Sequence, residues 1–238
     1  MPAFYLLASL LLLSDATAPP PLMLWVWERP SDLRSLPARA GVAFLASTVT
    51  LAAGKAFVTP RFQPLQVKPG TFRMAVVRIE GPVVPVVLTH AQRDRTAAAI
   101  VQTARLVNAD ALQVDFDARL SERAFYSAVL KDVRQALGPR QFLSITALVS
   151  WCGAPQTWLN ILPVNEVVPM AFEMGSGAAA AETLLRSGGH FPNPRCQAAI
   201  GVSTEGLALA KGAYTRRYIF PYGEWTETLL RSVLNTIQ

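Results

Sequence analysis

ALQVDFDARLSERAFYSAVLKDVRQALGPRQFLSITALV, residues 111–149, reads as strand, helix, strand. Ala111 to Phe116 and Phe142 to Val149 are short, apolar runs of the length that buried strands favour. Between them a helix is predicted from about Ser121 to Leu137, with Ser121 as N-cap. Phe125, Val129, Val133 and Leu137 recur every four residues along one face, and Gly138-Pro139 ends the segment. A strand, a crossover helix and a second strand form the unit of a parallel sheet.

The same alternation extends in both directions. Further strands are expected at Leu22 to Trp27, Val42 to Ala46, Arg73 to Ile79, Val167 to Phe172, Ala198 to Ser203 and Arg217 to Phe220. The total of eight is the number that closes a barrel. Helices are expected from about Ala91 to Val107 and from about Glu224 to Ile237, each with an apolar stripe. Between Thr48 and Thr71 the pattern differs. β-prone Val49 to Leu51, a turn at Ala53-Gly54-Lys55 and Phe57-Val58-Thr59 predict a hairpin where a regular barrel has a helix. The expected fold is α/β, an irregular (β/α)8 TIM-type barrel with a β-hairpin replacing one helix.

Composition agrees with one folded domain over residues 22–238. Of the 238 residues, 51% are hydrophobic and 16% charged, far too apolar for a disordered chain. The net charge is +6, but the basic residues are scattered singly, so no nucleic-acid partner is expected. Mean hydropathy is +0.28, yet no uninterrupted apolar stretch reaches the length of about 18 residues that a transmembrane span needs.

Residues 1–21 read as a signal-like leader followed by a proline spacer. Phe4 to Leu13 is an apolar run, and Ala16-Thr17-Ala18 has the form of an export cleavage site. Against this stand an n-region without Lys or Arg and Pro19 just after the site. The expectation is an exported protein, periplasmic or secreted, with a leader that is either cleaved or kept as an anchor. The spacing of Cys152 and Cys196 excludes a zinc site of paired thiolates. An even cysteine count in an exported chain invites a disulfide. The strand layout, however, sets the two at opposite ends of parallel strands, so buried free thiols are expected.

A barrel's ligand site lies at the carboxyl ends of its strands. Alternation along Gln113-Val114-Asp115-Phe116-Asp117-Ala118-Arg119 puts Gln113, Asp115, Asp117 and Arg119 on one face, pointing inward because Val114 and Phe116 suit the helices. The same rule groups Val76, Arg78 and Glu80 on the neighbouring strand. Carboxylates crowded in a partly dry pocket raise at least one pKa. Other strand ends supply Glu28 beside Trp25 and Trp27, Ser150-Trp151, Glu173 and Tyr222. Glycoside hydrolysis needs one protonated and one ionised carboxyl, and Asp117 with Glu173 or Glu80 would supply them. Trp27 and Trp151 are candidate platforms for a sugar ring. An ion-pair network of Arg78 with Asp115, or Arg119 with Glu80, that merely closes the interior weighs about equally for any one residue. The exposed-looking His90 and His190 are not expected to bind metal, and no cofactor is expected. Gly175-Ser176-Gly177 resembles a phosphate-cradling turn, a weak signal for phosphate-ester chemistry.

Several runs in fixed order resemble a bacterial domain-of-unknown-function family, number three-one-four-two. They are Val26-Trp27-Glu28-Arg29, Gly41 to Leu45, Val76 to Glu80, Gln113 to Arg123, Ile145 to Leu148 with Ser150-Trp151-Cys152, and Leu162 to Met170. That resemblance implies no activity. More distantly, the strand at Gln113 is similar to that of family-eighteen chitinases, TIM barrels whose D-x-x-D-x-D-x-E signature ends in a proton-donating Glu. Asp115 and Asp117 stand at its second and third aspartates, Leu112 at the first and Arg119 at the Glu. A guanidinium cannot donate that proton. The resemblance therefore implies either a glycoside-hydrolase-like barrel with another acid, such as Glu173 or Glu80, acting on an envelope or extracellular polysaccharide, or a non-catalytic barrel that binds a glycan or an envelope partner.

Overall fold

In the computed structural model, residues 18–84 and 86–237 are described; the apolar run of the leader lies outside the described residues. The barrel consists of β1 (Leu22–Val26), β3 (Ala40–Ala52), β6 (Arg73–Glu80), β7 (Ala111–Asp115), β8 (Phe142–Leu148), β9 (Glu166–Met170), β10 (Ala199–Ser203) and β11 (Arg216–Phe220). These strands pair in parallel in that order, and β1 pairs with both β3 and β11, which closes the ring. Two-residue strands β2 (Ser31–Asp32) and β5 (Leu65–Gln66) form a separate ladder outside it.

The hairpin is present. β4 (Lys55–Pro60) pairs antiparallel with the outer half of β3. The two-residue turn has φ of 48° at Ala53 and 74° at Gly54, the positive pair that a tight hairpin of right-handed twist requires. A register shift between Leu45 and Ser47 bends β3, so that one strand serves both barrel and hairpin.

The helical layer is thinner than the sequence pattern suggests. α1 (His90–Leu106), α2 (Arg123–Leu137), α3 (Ala178–Arg186) and α4 (Glu227–Thr236) follow β6, β7, β9 and β11. Besides the hairpin connection, those after β1, β8 and β10 have no α-helix among the described residues, only the β2–β5 ladder or 3-10 turns. α1 begins with a capping box, in which Thr89 Oγ1 accepts from Gln92 N and the Gln92 side chain accepts from Thr89 N. α2 starts two residues later than expected and without a Ser121 cap. A 3-10 turn, Leu120–Glu122, precedes it, and Glu122 Oε2 accepts from Arg119 N.

Strand alternation divides the core in two. Residues such as Leu24, Val77, Val114 and Ile145 face the helices. Met23, Trp25, Met74, Val76, Val168, Tyr218 and Phe220 fill the barrel itself. Gly201 is required there, since a Cβ would lie 2.9 Å from Phe220 Cε2. The floor is closed by Arg216, which donates to the carbonyls of Pro19 and Pro20, so the proline segment packs as part of the barrel.

The expectation of free thiols is overturned. Cys152 and Cys196 form a disulfide with Cα atoms 6.0 Å apart. Strand ends do not set their separation, because both lie in connections. The chain after β8 and the chain before β10 meet on the barrel flank, where Asn193 N donates to Cys152 O and the Asn193 side chain donates to Thr157 and Asn160.

Candidate functional site

A line of polar side chains rises through the interior because every second residue of β7, β8 and β9 points inward. Trp25 Nε1 donates to Gln113 Oε1 (2.8 Å), Gln113 Nε2 to Ser144 Oγ (3.1 Å) and Ser144 Oγ to Glu166 Oε2 (3.1 Å). Glu166 also accepts from Tyr218 OH at 2.6 Å and pairs with Arg216. All of these groups are buried and partnered, so this lower network leaves no free polar group for a ligand.

The next inward layer differs. Arg78 Nη1 donates to Asp115 Oδ2 at 2.6 Å, and Thr146 Oγ1 donates to Asp115 Oδ1 at 2.6 Å, so Asp115, 1% exposed, has a partner on each oxygen. Arg78 also lies 3.6 Å from Asp117 and 4.0 Å from Glu80. One guanidinium thus faces three carboxylates, of which only the deepest is fully engaged. Above it opens a cavity of about 320 Å³ lined by Trp27, Arg78, Asp117, Ser150, Phe172 and Glu173, with Leu148, Val149, Met170, Met174 and Gly175 completing the wall. Asp117 has its carboxyl pKa raised above the usual aspartate range. Desolvation in the cavity is the main cause and the negative charge of Asp115 the next; Arg78 opposes both, and Glu173 adds to the rise. Glu173 is held at φ 50°, a left-handed conformation uncommon for a non-glycine residue.

Of the residues singled out from sequence, Asp117, Glu173, Arg78 and Trp27 meet in this cavity, and Asp115 forms its base. Glu80 stands at the rim, where its carboxylate accepts from Thr50 Oγ1 at 3.2 Å. Glu28 is turned to the next loop and accepts from Phe62 N and Gln63 N at 2.8 and 2.9 Å. Arg119 does not point into the barrel. The strand ends at Asp115, a tight turn from Phe116 O to Ala118 N breaks the alternation, and Arg119 donates instead to the carbonyls of Pro82 and Val83. Trp151 is 2% exposed, packed edge-on against Trp158, and has no face free for a sugar ring. Tyr222 is exposed and does not line the cavity; the same holds for His90 and His190. Among the described residues no group of His, Cys, Asp and Glu is arranged to hold a metal ion.

Among the lining residues not anticipated are Met170 and Phe172. Their signal is legible afterwards: they extend the inward parity of Glu166 and Val168 past the end of β9. Ser150, rather than its neighbour Trp151, lines the cavity.

Residues 69–168 match the model of a family described as Domain of unknown function (DUF3142). No curated protein matches the chain in sequence. Solved structures that share the fold include two chitinases. One is a candidate chitinase A from Streptomyces coelicolor, with TM-score 0.61, 13% identity, and coverage of 92% of this chain and 97% of that one. The other is a family GH18 chitinase from Chromobacterium violaceum, with TM-score 0.53, 12% identity, and coverage of 92% and 82%. The likeness is one of fold.

Proposed function

We propose that this chain is an exported, glycoside-hydrolase-like barrel that binds a saccharide in the cavity at the carboxyl ends of its strands and cleaves it there. The observation that carries the reading is Asp117, a carboxyl of raised pKa in the same cavity as Glu173 and Trp27. A carboxyl of raised pKa is suited to protonate a leaving oxygen, while a second carboxylate supports the developing positive charge. In this scheme Asp117 is the general acid, Glu173 the second carboxylate and Trp27 the sugar platform. Arg78, fixed by Asp115, holds the local charge balance. The chitinases named among the structural neighbours favour a polysaccharide substrate. The disulfide agrees with an oxidising compartment and hence with export.

The test is reducing-end release from a panel of bacterial and plant polysaccharides over about pH 4 to 8, the range in which perturbed carboxyl pairs titrate. Release should follow a bell-shaped profile and fall at least about 100-fold in Asp117→Asn, the usual contribution of a general acid. A second reading, a glycan-binding barrel without turnover, is favoured by the contact between Arg78 and Asp117, which pulls the carboxyl toward its ionised form. No release from any polymer, together with a raised melting temperature on adding one of them, selects that reading.

A further inference from the structure

The mouth cavity holds more carboxylate than hydrolysis asks for. Cleavage of a glycosidic bond takes a pair of carboxyls. Here Asp115 lies at the base, Asp117 and Glu173 in the wall and Glu80 at the rim. Among the described residues Arg78 is the one cationic side chain that lines the cavity, and each of its nitrogens already faces an acid. Nη1 meets Asp115 at 2.6 Å, Nη2 meets Asp117 at 3.6 Å and Nε meets Glu80 at 4.0 Å. Glu173 has no ion-pair partner among the described residues. Even with Asp117 carrying the proton that the hydrolytic scheme assigns to it, Asp115, Glu173 and Glu80 share a single guanidinium.

That surplus selects among ligand classes. An acidic sugar is bound by charged donors that are free to fork around its carboxylate or sulfate, and Arg78 has none to spare. The carboxylates do not converge as a metal site does, since among the described residues no group of His, Cys, Asp and Glu is arranged to hold an ion. A sugar hydroxyl both donates and accepts, whereas an ammonium only donates, which suits a wall rich in acceptors. The aromatic side chains point the same way. Trp27 and Phe172 line the cavity half-buried, and both pack on Phe220, with ring centroids 6.4 and 4.7 Å away. Aromatic faces attract a cation held close to them.

We propose that the mouth cavity takes a cationic amino sugar, a saccharide unit whose nitrogen is unacylated, with its ammonium beside Glu173 and its ring against Trp27. The proposal rests on the reading of this cavity as a saccharide site and adds the charge of the sugar it accepts.

The experiment is calorimetric titration of the full chain at low salt and about pH 6, below the ordinary range of an amine. The probes are the β-1,4-linked tetrasaccharide of glucosamine, its fully N-acetylated counterpart and a tetrasaccharide of galacturonic acid. The glucosamine probe should bind at least about tenfold more tightly than the acetylated one, with the galacturonate weakest, and the preference should narrow at about 0.5 M salt. Glu173→Gln should lower affinity for the glucosamine probe at least about fivefold and leave the acetylated probe within about twofold. Glu227→Gln makes the same change of charge at an exposed position of α4 that does not line the cavity, and should alter neither. Circular dichroism checks that both variants fold. Binding of the acetylated or galacturonate probe as tight as that of glucosamine overturns the proposal while the saccharide reading stands. A Glu173→Gln variant that binds glucosamine like wild type overturns it, as does a Glu227→Gln variant that loses as much, which shows general attraction of a polycation. No binding of any probe overturns it too, and the saccharide reading falls with it when the polysaccharide panel gives neither release nor a raised melting temperature.

Discussion

The barrel contains two arginine–carboxylate centres inside one ring of strands, and they differ in what is left over. At the floor, Arg216 and Glu166 have side chains 9% and 4% exposed, and their remaining hydrogen-bonding capacity is used by two proline carbonyls, Tyr218 and Ser144. At the mouth, Arg78 is 30% exposed and must serve Asp115, Asp117 and Glu80 together. A buried pair with all partners satisfied is a structural closure. A pair with surplus carboxylates beside a cavity retains charge and protons that a ligand can meet. The disulfide ties the connection above β8 to the one that leads into β10, on the flank between the two ends.

Breaking the floor should cost most. Glu166→Ala leaves the Arg216 charge buried without its partner, and urea unfolding should show a loss of about 3–5 kcal/mol. A loss no larger than that of an ordinary surface change would mean the floor network is solvated. Removing the disulfide by Cys152→Ser should cost about 2–4 kcal/mol, since the bridge closes a long loop in the unfolded chain. Denaturation of the oxidised wild type with and without reductant gives the same comparison, and equal midpoints would rule out the bridge.

The mouth should be more tolerant. Arg78→Met strands Asp115, but water reaches the site and Thr146 still donates to it, so a loss of about 1–3 kcal/mol is expected by thermal unfolding. The same change removes the group that opposes the rise of the Asp117 pKa, so any activity should persist to higher pH. An alkaline limb that moves the other way would take the acid role from Asp117.

The smallest effect is expected at Asp117. Its raised pKa means that the native state binds this proton more tightly than the unfolded chain does. Stability contributed by that proton is present below the ordinary aspartate pKa and is lost as pH rises through the native value. Asp117→Asn should therefore match or slightly exceed wild type at pH 7, within about 0.5 kcal/mol, with the difference closing in acid. A strongly destabilised variant in calorimetry would instead place Asp117 in the structural network with Asp115.

Much of this was legible in the residues. The eight strands followed from short apolar runs between turn signals, the hairpin from Ala53-Gly54, and the inward set Gln113, Asp115, Arg78 from a period of two, because backbone geometry alone dictates that alternation. The same rule failed at Arg119, where the strand had already ended; the expectation of an exposed Trp151 at a strand end failed because that side chain packs in the core. Missing helices were also invisible, since a connection that packs as 3-10 turns carries no 3.6-residue stripe to be absent.

The sequence by itself determined an α/β barrel with a hairpin, and the carboxylates and arginines at its strand ends, because burial and alternation are local consequences of residue order. Only the tertiary structure decided which of those charges satisfy one another, which remain free at the mouth, and that Cys152 reaches Cys196. Those outcomes depend on distances between residues far apart in sequence, and a period of two or of four holds no information about them.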